Sequence, residues 1–549
     1  MSIVHQKDKR SGITYVYESQ ARWDKEKKQS RSIRRLIGRL DDQTGEVIQT
    51  DGRGRKGQEL GTTAIPVKEN RQEKRHSVLP RIEDRKFCGA TCVFDSIGEQ
   101  TGITADLRAC FPDTYKMILS VAYYLILEDH NPLSRFGKWQ RFHTHPYGED
   151  IPSQRSSELF AGIREEQKMK FFRLQGVRRD REEYWAYDST SLSSHSECLS
   201  QVRYGKNKDN EPLPQINLLL LFGEKSYLPF YYRKLAGNIP DVKTLQVLIR
   251  DLDILGYSKV KLVTDRGFYS TGNVNSLYKE HIKFLMAART SLTFVKQVIE
   301  REGSRMRNWD HYCDKYDLYT YSETIAWNYS QKRPYKGDTV EGIRRMYLHL
   351  YYNPEKAVED EREFNRHILC LKDELMTGKW LASHQSEYEK YFTIKETPVR
   401  GLQVLPRQEI LDEAKKRYGY FVLLSNEVKE ATIALELYRN RDVVEKAFDN
   451  IKERLNGKRL LVSSNAALEG KLFVEFIALI YLSYIKKHMQ DKNLFKKYTL
   501  QGLLDELDVI ECFITPGKDP FIGEVLQKQQ QIYLDMGVKN PVTAASLCV

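Results

Sequence analysis

The spacing of apolar residues changes near residue 180, and the change separates a helical region from a mixed one. Between residues 87 and 180 apolar residues recur at helical spacing, most clearly in the run DTYKMILSVAYYLIL. Asp113 suits the N-cap of that helix, and Asn131-Pro132 suits its end. Helices of this kind could form a separate binding unit or a packing spacer, and the pattern does not choose between the two.

After residue 180 the pattern favours short buried strands. The runs EYWAYD, INLLLLF and YLPFYYR come first. Pro240-Asp241 then opens the helical run DVKTLQVLIRDLDILG, and the short runs KVKLVTD and KFLMA follow it. Strands that alternate with a helix in this way predict a mixed α/β sheet.

Residues 290–415 interrupt that rhythm. They contain strand-like pieces, such as RRMYLHLYY, and one charged helical stretch at about 355–375. The sheet pattern resumes with GYFVLLS, and a single long helix is predicted from about residue 429 to 455. Because α/β material lies on both sides, we interpret 290–415 as an insertion into the α/β domain.

Composition and charge narrow the classes of protein that remain. Hydrophobic residues make up 40% of the 549 residues and charged residues 30%, which is enough apolar material for real cores. The longest mostly apolar run, near 473–485, is too short to cross a membrane. The first residues have no apolar signal-peptide core, and the eight cysteines form no CxxC pair. We therefore expect neither a zinc framework nor a disulfide scaffold. We also expect a cytoplasmic location.

Positive charge is concentrated at the start of the chain. Residues 1–86 hold 21 Lys and Arg against 13 Asp and Glu, which is +8 of the total of +12. Lys27, Lys28, Arg34 and Arg35 lie in this stretch and are the candidate DNA contacts. The alternative is an ordinary solvated basic face.

Together these patterns predict six segments. They are a basic DNA-binding segment at 1–86, a helical DNA-binding or linker region at 87–180, the first part of an α/β core at 181–289, a β-rich insertion at 290–415, the second part of the core at 416–489, and a helical C-terminal region at 490–549. The last of these is a candidate for dimerisation.

Three carboxylates stand out by their positions. Asp188 follows EYWAY, and Asp265 follows KVKLVT, so each is predicted where a buried strand gives way to a loop. A cap or turn aspartate is the alternative for either one alone. The third is Glu445, which lies within the predicted long helix.

That helix carries four chemically distinct side chains on one side. At 100° per residue, Tyr438, Arg441, Glu445 and Lys452 fall within an arc of about 60°. Arg and Lys bind phosphate, and Tyr can hydrogen-bond it. A carboxylate that meets two more from the strands can hold Mg²⁺, and two such ions about 3.5–4 Å apart promote in-line attack on a phosphodiester.

These residues resemble a known family. The spacing Y-x2-R-x3-E-x6-K is similar to the signature of bacterial insertion-sequence DDE transposases of the insertion-sequence-four superfamily. YDST at 187–190 and DRGFY at 265–269 resemble the two aspartate motifs of that family, and GNIPDVKTL at 237–245 resembles the stretch between them. The resemblance covers about 180–290 and 416–490, and it extends more loosely to the basic start and to FDSIGEQTGI at 94–103.

The resemblance implies a fold and a reaction. The fold would be a ribonuclease H-like α/β core, in which Asp188, Asp265 and Glu445 hold two Mg²⁺ ions that Mn²⁺ can replace. The enzyme would cut at the ends of its insertion sequence and join the freed 3′ hydroxyls to target DNA, a cut-and-paste reaction with a hairpin intermediate. Tyr438, Arg441 and Lys452 would grip terminal phosphates, and Arg266, in the second aspartate motif, is a further candidate DNA contact.

The resemblance also implies partners. These are the terminal inverted repeats, the target DNA, and a second copy of the chain in a complex of paired ends, acting at the nucleoid in the bacterial cytoplasm. An aromatic residue of the insertion would stack on a flipped base, with Trp309 and Trp327 as candidates and core packing as the alternative for each.

Two other readings of the sequence stay open. One is a DNA-binding regulator that no longer catalyses, and the other is a ribonuclease H-fold nuclease that cuts without joining. His143 and His145 have the spacing of metal ligands, but no third ligand is evident, so we expect no metal site there.

Overall fold

The computed structural model describes residues 2–8, 12–24, 29–41, 45, 47–48, 84–129, 131–178, 182–332, 337–397, 401–514 and 521–541. The chain divides into two compact units, Met1–Leu79 and Pro80–Val549.

The first unit contains an antiparallel sheet. Its strands, in spatial order, are β1 (Ser2–Lys7), β2 (Thr14–Asp24), β3 (Gln29–Leu40) and β4 (Val47–Ile48). Arg34 and Arg35 lie on β3 and are exposed, and Arg34 Nη1 donates to Gln6 Oε1 at 3.3 Å. Lys27 and Lys28 lie outside the described residues.

The second unit opens with a short strand and a group of helices. These are β5 (Asp84–Phe87), α1 (Gly89–Gln100), α2 (Ile103–Cys110), α3 (Tyr115–Leu127), α4 (Phe136–Trp139), α5 (Ser153–Gly162) and α6 (Glu165–Val177). The run predicted as a helix is α3, and its residues from Met117 to Leu127 are all buried. A helix that is apolar on every side belongs in the centre of a protein, and α3 packs against the long C-terminal helix described below.

The α/β core follows in the predicted order. Its elements are β6 (Trp185–Ser193), β7 (Gln215–Gly223), β8 (Pro229–Ala236), α7 (Asp241–Leu255), β9 (Lys261–Thr264), α8 (Thr271–Lys279), β10 (Lys283–Ala288) and α9 (Thr293–Glu302). The first three strands form an antiparallel meander, whereas β9 runs parallel to both β6 and β10. Every residue of β7 is buried, as its continuous apolar sequence requires for a strand covered on both faces.

Part of the predicted insertion extends the core sheet. The strands β11 (Tyr312–Cys313), β12 (Leu318–Lys332) and β13 (Thr339–Tyr352) lie at 290–415 in sequence, and β13 pairs with a later strand of the core. Two further pairs of elements complete the region: α10 (Pro354–Thr377) with α11 (Gln385–Tyr391), and β14 (Phe392–Thr397) with β15 (Gly401–Pro406); α12 (Gln408–Lys415) ends it. Residues 354–415 are mainly helical and have their own small core around Leu371 and Tyr388, so the term β-rich describes only part of this insertion.

The core resumes with β16 (Tyr420–Ser425), which pairs with β10 and β13. The sheet then has nine strands among the described residues, in the order β11-β12-β13-β16-β10-β9-β6-β7-β8. This arrangement is a large mixed α/β sheet, as predicted.

The prediction of one continuous helix at 429–455 was wrong. The structure has α13 (Ala431–Asn440), a break at Arg441, α14 (Asp442–Asp449) and a π-helical turn at Asn450–Arg454. At the break, the Arg441 N–H binds the Tyr438 carbonyl at 3.2 Å, which tightens the turn, and the Leu455 N–H binds the Asn450 carbonyl at 2.8 Å, which widens the last one. Departures from α-helical bonding of this kind occur frequently at functional sites.

The C-terminal region returns to the helices at the start of the unit. Its elements are α15 (Asn465–Asp491), α16 (Leu500–Asp508), β17 (Glu511–Ile514), β18 (Phe521–Ile522) and α17 (Gln527–Asp535). The strand β17 pairs with β5, and α15 packs against α3 and α5. Within the described ranges, no helix combines the length and the apolar composition that a membrane crossing needs.

Candidate active site

The two aspartates lie side by side where two parallel strands separate. The pairing of β6 with β9 ends at Tyr187 and Thr264, and Asp188 and Asp265 each follow that last pair. Asp265 comes directly after β9, as predicted. The prediction for Asp188 was wrong in one respect, because β6 continues to Ser193 and Asp188 lies inside it, buried at 8% exposure. Asp188 lies beside Asp265 because the neighbouring strand β9 ends there, and the local sequence around Asp188 does not show where β9 ends.

The third carboxylate reaches the same cavity from a helix. On α14, Val444, Ala447 and Phe448 are buried in the core, while Glu445 is exposed. A cavity of about 850 Å³ is lined by Asp188, Asp265 and Glu445 together. The structure therefore brings together the three acids that the sequence singled out.

Arg441 bridges two of these acids. Its Nη1 donates to Asp188 Oδ2 at 2.7 Å, and its Nη2 donates to Glu445 Oε1 at 2.7 Å. Burial raises the pKa of Asp188 above its ordinary value, although Lys208 and Arg441 act in the opposite direction. The guanidinium is thus a counterion that a strand carboxylate and a helix carboxylate share.

The other two members of the helical signature also bind carboxylates. The Tyr438 hydroxyl donates to Asp265 Oδ1 at 2.9 Å. Lys452 Nζ lies 2.7 Å from both carboxylate oxygens of Asp209. Lys452 lines the cavity that the three acids share, whereas Tyr438 lines an adjoining cavity of about 540 Å³ that Asp265 also lines. Arg266 is exposed and lines both cavities.

Sequence reasoning missed three charged residues of the site. Lys208 Nζ lies 2.6 Å from both the carbonyl and the hydroxyl oxygen of Ser189, 3.6 Å from Asp188 Oδ1 and 3.4 Å from Asp241 Oδ2. Asp241 begins α7 within GNIPDVKTL, so the matched motif itself offered this fourth acid. Lys208 and Asp209 lie in the loop between β6 and β7, where no sequence pattern marked them.

The donor chemistry fits divalent cations, but the carboxylates are held by cations of the chain. Carboxylate oxygens are the ligands that Mg²⁺ prefers. Within the described residues, however, no group of three or more His, Cys, Asp or Glu side chains is arranged to hold a metal ion. The guanidinium of Arg441 lies between Asp188 and Glu445, so these two acids could share a metal only after that side chain moves.

The remaining candidates separate into buried and exposed groups. Trp327 is 8% exposed, and its Nε1 donates to Asn275 Oδ1 at 2.9 Å, which is a packing role. Trp309 is 88% exposed. His143 is buried, with Nδ1 2.9 Å from the Trp139 carbonyl and Nε2 2.9 Å from Asp508 Oδ2, so its ring nitrogens are engaged within the protein.

Comparison with known proteins gives one family. The family model described as "Transposase DDE domain" matches residues 179–481, which is more than half of the chain. No curated protein matches significantly. A cryo-EM structure of a piggyBac transposase synaptic complex with hairpin DNA is 12% identical, with a TM-score of 0.32 over 75% of this chain and 70% of that one. A likeness of that size supports no argument about this site.

Proposed function

Because the chain belongs to the transposase DDE domain family, we propose that it cleaves DNA at the ends of its own mobile element and joins the freed 3′ hydroxyls to target DNA. One observation carries the proposal. Asp188, Asp265 and Glu445 line a single cavity, and beside them lie Lys208, Arg441 and Lys452, whose charged groups are of the kind that binds phosphate. We further propose the insertion-sequence-four superfamily as the group within the family, on the spacing of Tyr438, Arg441, Glu445 and Lys452.

The three carboxylates would hold two Mg²⁺ ions, and Mn²⁺ would serve in their place. Such ions lower the pKa of a bound water and stabilise both the attacking and the leaving oxygen of an in-line displacement. Asp188 is fixed by its strand, and its backbone neighbour Ser189 donates its N–H to Asp188 Oδ1 at 2.7 Å. Glu445 is exposed on α14, so it is the ligand with the most freedom to adjust.

The cations of the site have a second role in this proposal. When DNA enters, Arg441 would release the two carboxylates and bind a DNA phosphate. Lys452 would likewise release Asp209 and bind a second phosphate. A planar guanidinium suits the first exchange because it can bind phosphate through two parallel hydrogen bonds. Tyr438 and Arg266 lie beside Asp265 and would orient the DNA strand that passes it.

The finer steps of the proposal rest on the motifs. We propose a cut-and-paste reaction with release of the second strand through a DNA hairpin, and a homodimer that acts on two paired ends in the bacterial cytoplasm. Residues 490–549 are the proposed dimer contact. Trp309 is the proposed base-stacking residue, because its ring is exposed whereas that of Trp327 is buried.

The test uses a plasmid that carries the gene with its native flanking DNA. Purified protein and Mg²⁺ are added, and new 3′ ends and joined products are mapped by sequencing. We expect cuts at two inverted sequences that flank the gene, and joined products. The Glu445→Gln variant should lose at least about a hundredfold in cleavage rate, equivalent to about 2.7 kcal/mol, while binding the same ends with unchanged affinity.

Three results would contradict parts of the proposal. Full activity of Glu445→Gln would remove that residue from the active site. Cutting without any joined product would indicate a nuclease instead. Tight binding to the flanks with no metal-dependent cutting would indicate a regulator.

A further inference from the structure

A second polar cavity lies against the helix that carries Glu445. It has a volume of about 450 Å³ and is lined by Asp442, Val443 and Lys446 of α14, together with parts of α13 and α15. On the same helix, Glu445 and Phe448 line the catalytic cavity. At 100° per residue the two sets point about 140° apart, so α14 separates the two cavities.

The second cavity is strongly positive. Four cations line it, Arg439, Lys446, Lys486 and Lys487, against a single lining carboxylate, Asp442. Two of the cations are partly neutralised, since Lys446 Nζ lies 2.6 Å from Asp442 Oδ2 and Lys487 Nζ lies 3.1 Å from Asp491 Oδ1. These pairs involve exposed groups and are weak.

Lys486 forms no such ion pair. Its Nζ lies 2.5 Å from the amide oxygen of Asn450, and no carboxylate of the described residues is paired with it. Burial lowers the pKa of Lys486, and the nearby positive charges of Arg454 and Lys446 lower it further, while the negative charge of Asp449 acts in the opposite direction. A half-buried ammonium with two cations nearby and no paired carboxylate is a place where an added anion gains both charge complementarity and a desolvated partner.

We propose that this cavity binds a phosphate group of a DNA backbone at a site separate from the catalytic cavity. Lysine ammonium groups bind phosphate as point charges, and the cavity has room for one phosphate with its adjoining sugar. Phe495, which is 51% exposed, provides an apolar wall for that sugar. The identification of the phosphate as part of DNA rests on the proposed function; the anion site itself does not.

The site has a consequence for the catalytic helix. Lys446 and Glu445 are consecutive residues of α14, and Lys486 fixes Asn450 at the start of the π-helical turn. A phosphate bound between Lys446 and Lys486 ties α14 to α15. It thereby restrains the helix that presents Glu445 to the catalytic cavity.

The first experiment measures binding of inorganic phosphate to the full chain by titration calorimetry. The test variant carries Lys446→Gln and Lys486→Gln. The control carries Lys372→Gln and Lys379→Gln, which removes two exposed lysines near the end of α10 and so changes the net charge equally. We expect the wild-type chain and the control to bind phosphate with the same affinity and the test variant to lose at least about tenfold, which is 1.4 kcal/mol.

A third variant guards against a folding artefact. Lys446→Arg with Lys486→Arg keeps both charges and should keep phosphate binding within about threefold, well short of a factor of ten. Equal phosphate affinity in the wild-type chain and the glutamine variant would overturn the site. If the glutamine variant does not fold, the arginine variant decides. Loss of phosphate binding in that variant, at an unchanged melting temperature, would overturn the proposed pair of lysines.

The second experiment identifies the source of the phosphate. A random-sequence duplex should compete with inorganic phosphate for binding to the wild-type chain. For the glutamine variant, the slope of log affinity for the duplex against log salt concentration should be shallower by about 0.9. That is the change expected for the loss of one phosphate contact. Phosphate binding without competition by the duplex would overturn the assignment to DNA and indicate a free phosphate. Because neither measurement needs cleavage, failure of this site and failure of the proposed transposase activity are distinguishable.

Discussion

The two cations of the four-residue signature are each bound to an acid of the folded chain. Arg441 binds Asp188 and Glu445, and Lys452 binds Asp209. An incoming phosphate therefore has to displace a carboxylate, and the measured affinity for DNA is the difference between two similar interactions. This competition preserves the positions of the side chains before substrate arrives, at some cost in binding strength.

Asp209→Asn should accordingly strengthen DNA binding. The substitution removes the charge that competes for Lys452 Nζ, which lies 2.7 Å from both oxygens of Asp209. Partly exposed pairs of this kind contribute about 0.5–1 kcal/mol, so we expect the dissociation constant for a DNA duplex to fall by about twofold to fivefold. Fluorescence anisotropy with a labelled duplex at constant salt measures it.

A double-mutant cycle provides the control for Asp209→Asn. On a Lys452→Gln background the same substitution should have a smaller effect, since the partner charge is gone. An equal gain in both backgrounds would show that Asp209 acts through its general negative charge and that the Lys452 pair is irrelevant.

The sequence predicted the members of the site better than their contacts. The motif spacing singled out Asp265, Glu445 and Arg441 as candidates, and the structure places these three side chains close to Asp188. It did not identify Lys208 or Asp209, whose importance depends on where a loop between two strands returns to the sheet. The partner of a charged side chain is a tertiary property, and no local pattern encodes it.

At the scale of elements, the buried strands were predictable and the junctions were not. The runs that became β7, β9, β10 and β16 have apolar, buried centres with polar residues mainly towards their ends, and such runs have few alternatives to a covered strand. The break at Arg441 and the π-helical turn after Asp449 leave no trace in apolar periodicity, because the residues still read as one helix. The sequence of β12 and β13 also suggests part of a separate insertion, although in the structure β13 pairs with the core strand β16.

The hairpin β12–β13 is attached to the core partly through Trp327. Trp327→Phe should lower the free energy of unfolding by about 1–3 kcal/mol, because it leaves the buried Asn275 Oδ1 without its donor at 2.9 Å. Trp309→Phe, at a position that is 88% exposed, should change it by less than about 0.5 kcal/mol. Urea unfolding followed by circular dichroism tests both. Equal effects of the two substitutions would refute the packing role given to Trp327.

The helix α15 carries a carboxylate whose burial makes stability depend on pH. Glu475 is 1% exposed, and burial raises its pKa to about 7, with Lys471 Nζ at 3.6 Å as a weak counterion. Below the ordinary pKa of 4.5 the group is protonated in both folded and unfolded chains and costs nothing. Above pH 7 the folded chain must ionise it in the core, so the stability is lost as the pH rises from 4.5 to 7.

Glu475→Gln should therefore stabilise the chain at pH 8 and leave it nearly unchanged at pH 4.5. The rise in the pKa from 4.5 to about 7 corresponds to at most about 3.4 kcal/mol in the free energy of unfolding. Glu469→Gln on the same helix is the control and should destabilise the chain at pH 8. Burial raises the pKa of Glu469, but Lys168 and Lys234 outweigh it and hold that pKa below its ordinary value. A gain for Glu475→Gln that is independent of pH would show that the carboxylate is not protonated in the folded chain.

Over the whole molecule, charge and chemistry are divided between the two compact units. Residues 1–79 hold 18 Lys and Arg against 11 Asp and Glu, which is +7 of the total of +12, whereas the proposed catalytic residues all lie after residue 187. Non-specific attraction to DNA scales with the cations that replace counterions, so the first unit is expected to supply much of the affinity and the second the chemistry.

A chain that starts at Pro80 tests this division. We expect it to fold, with a melting temperature within a few degrees of the full chain, because Pro80–Val549 is a compact unit with its own core. We also expect its duplex affinity to depend less steeply on salt. Each lost phosphate contact reduces the log–log slope by about 0.9, so the loss of seven contacts, one for each unit of the net +7, would reduce it by about 6.

The full chain with Arg34→Gln and Arg35→Gln gives the intermediate case, since both side chains are exposed on β3. It should lower the slope by about 1.8 if each arginine contacts one phosphate, measured between about 50 and 200 mM salt. If the truncated chain kept the full slope, the cations of the second unit, including those of the two cavities beside α14, would account for DNA attraction on their own. In that case residues 1–79 would have to act through sequence recognition or not at all.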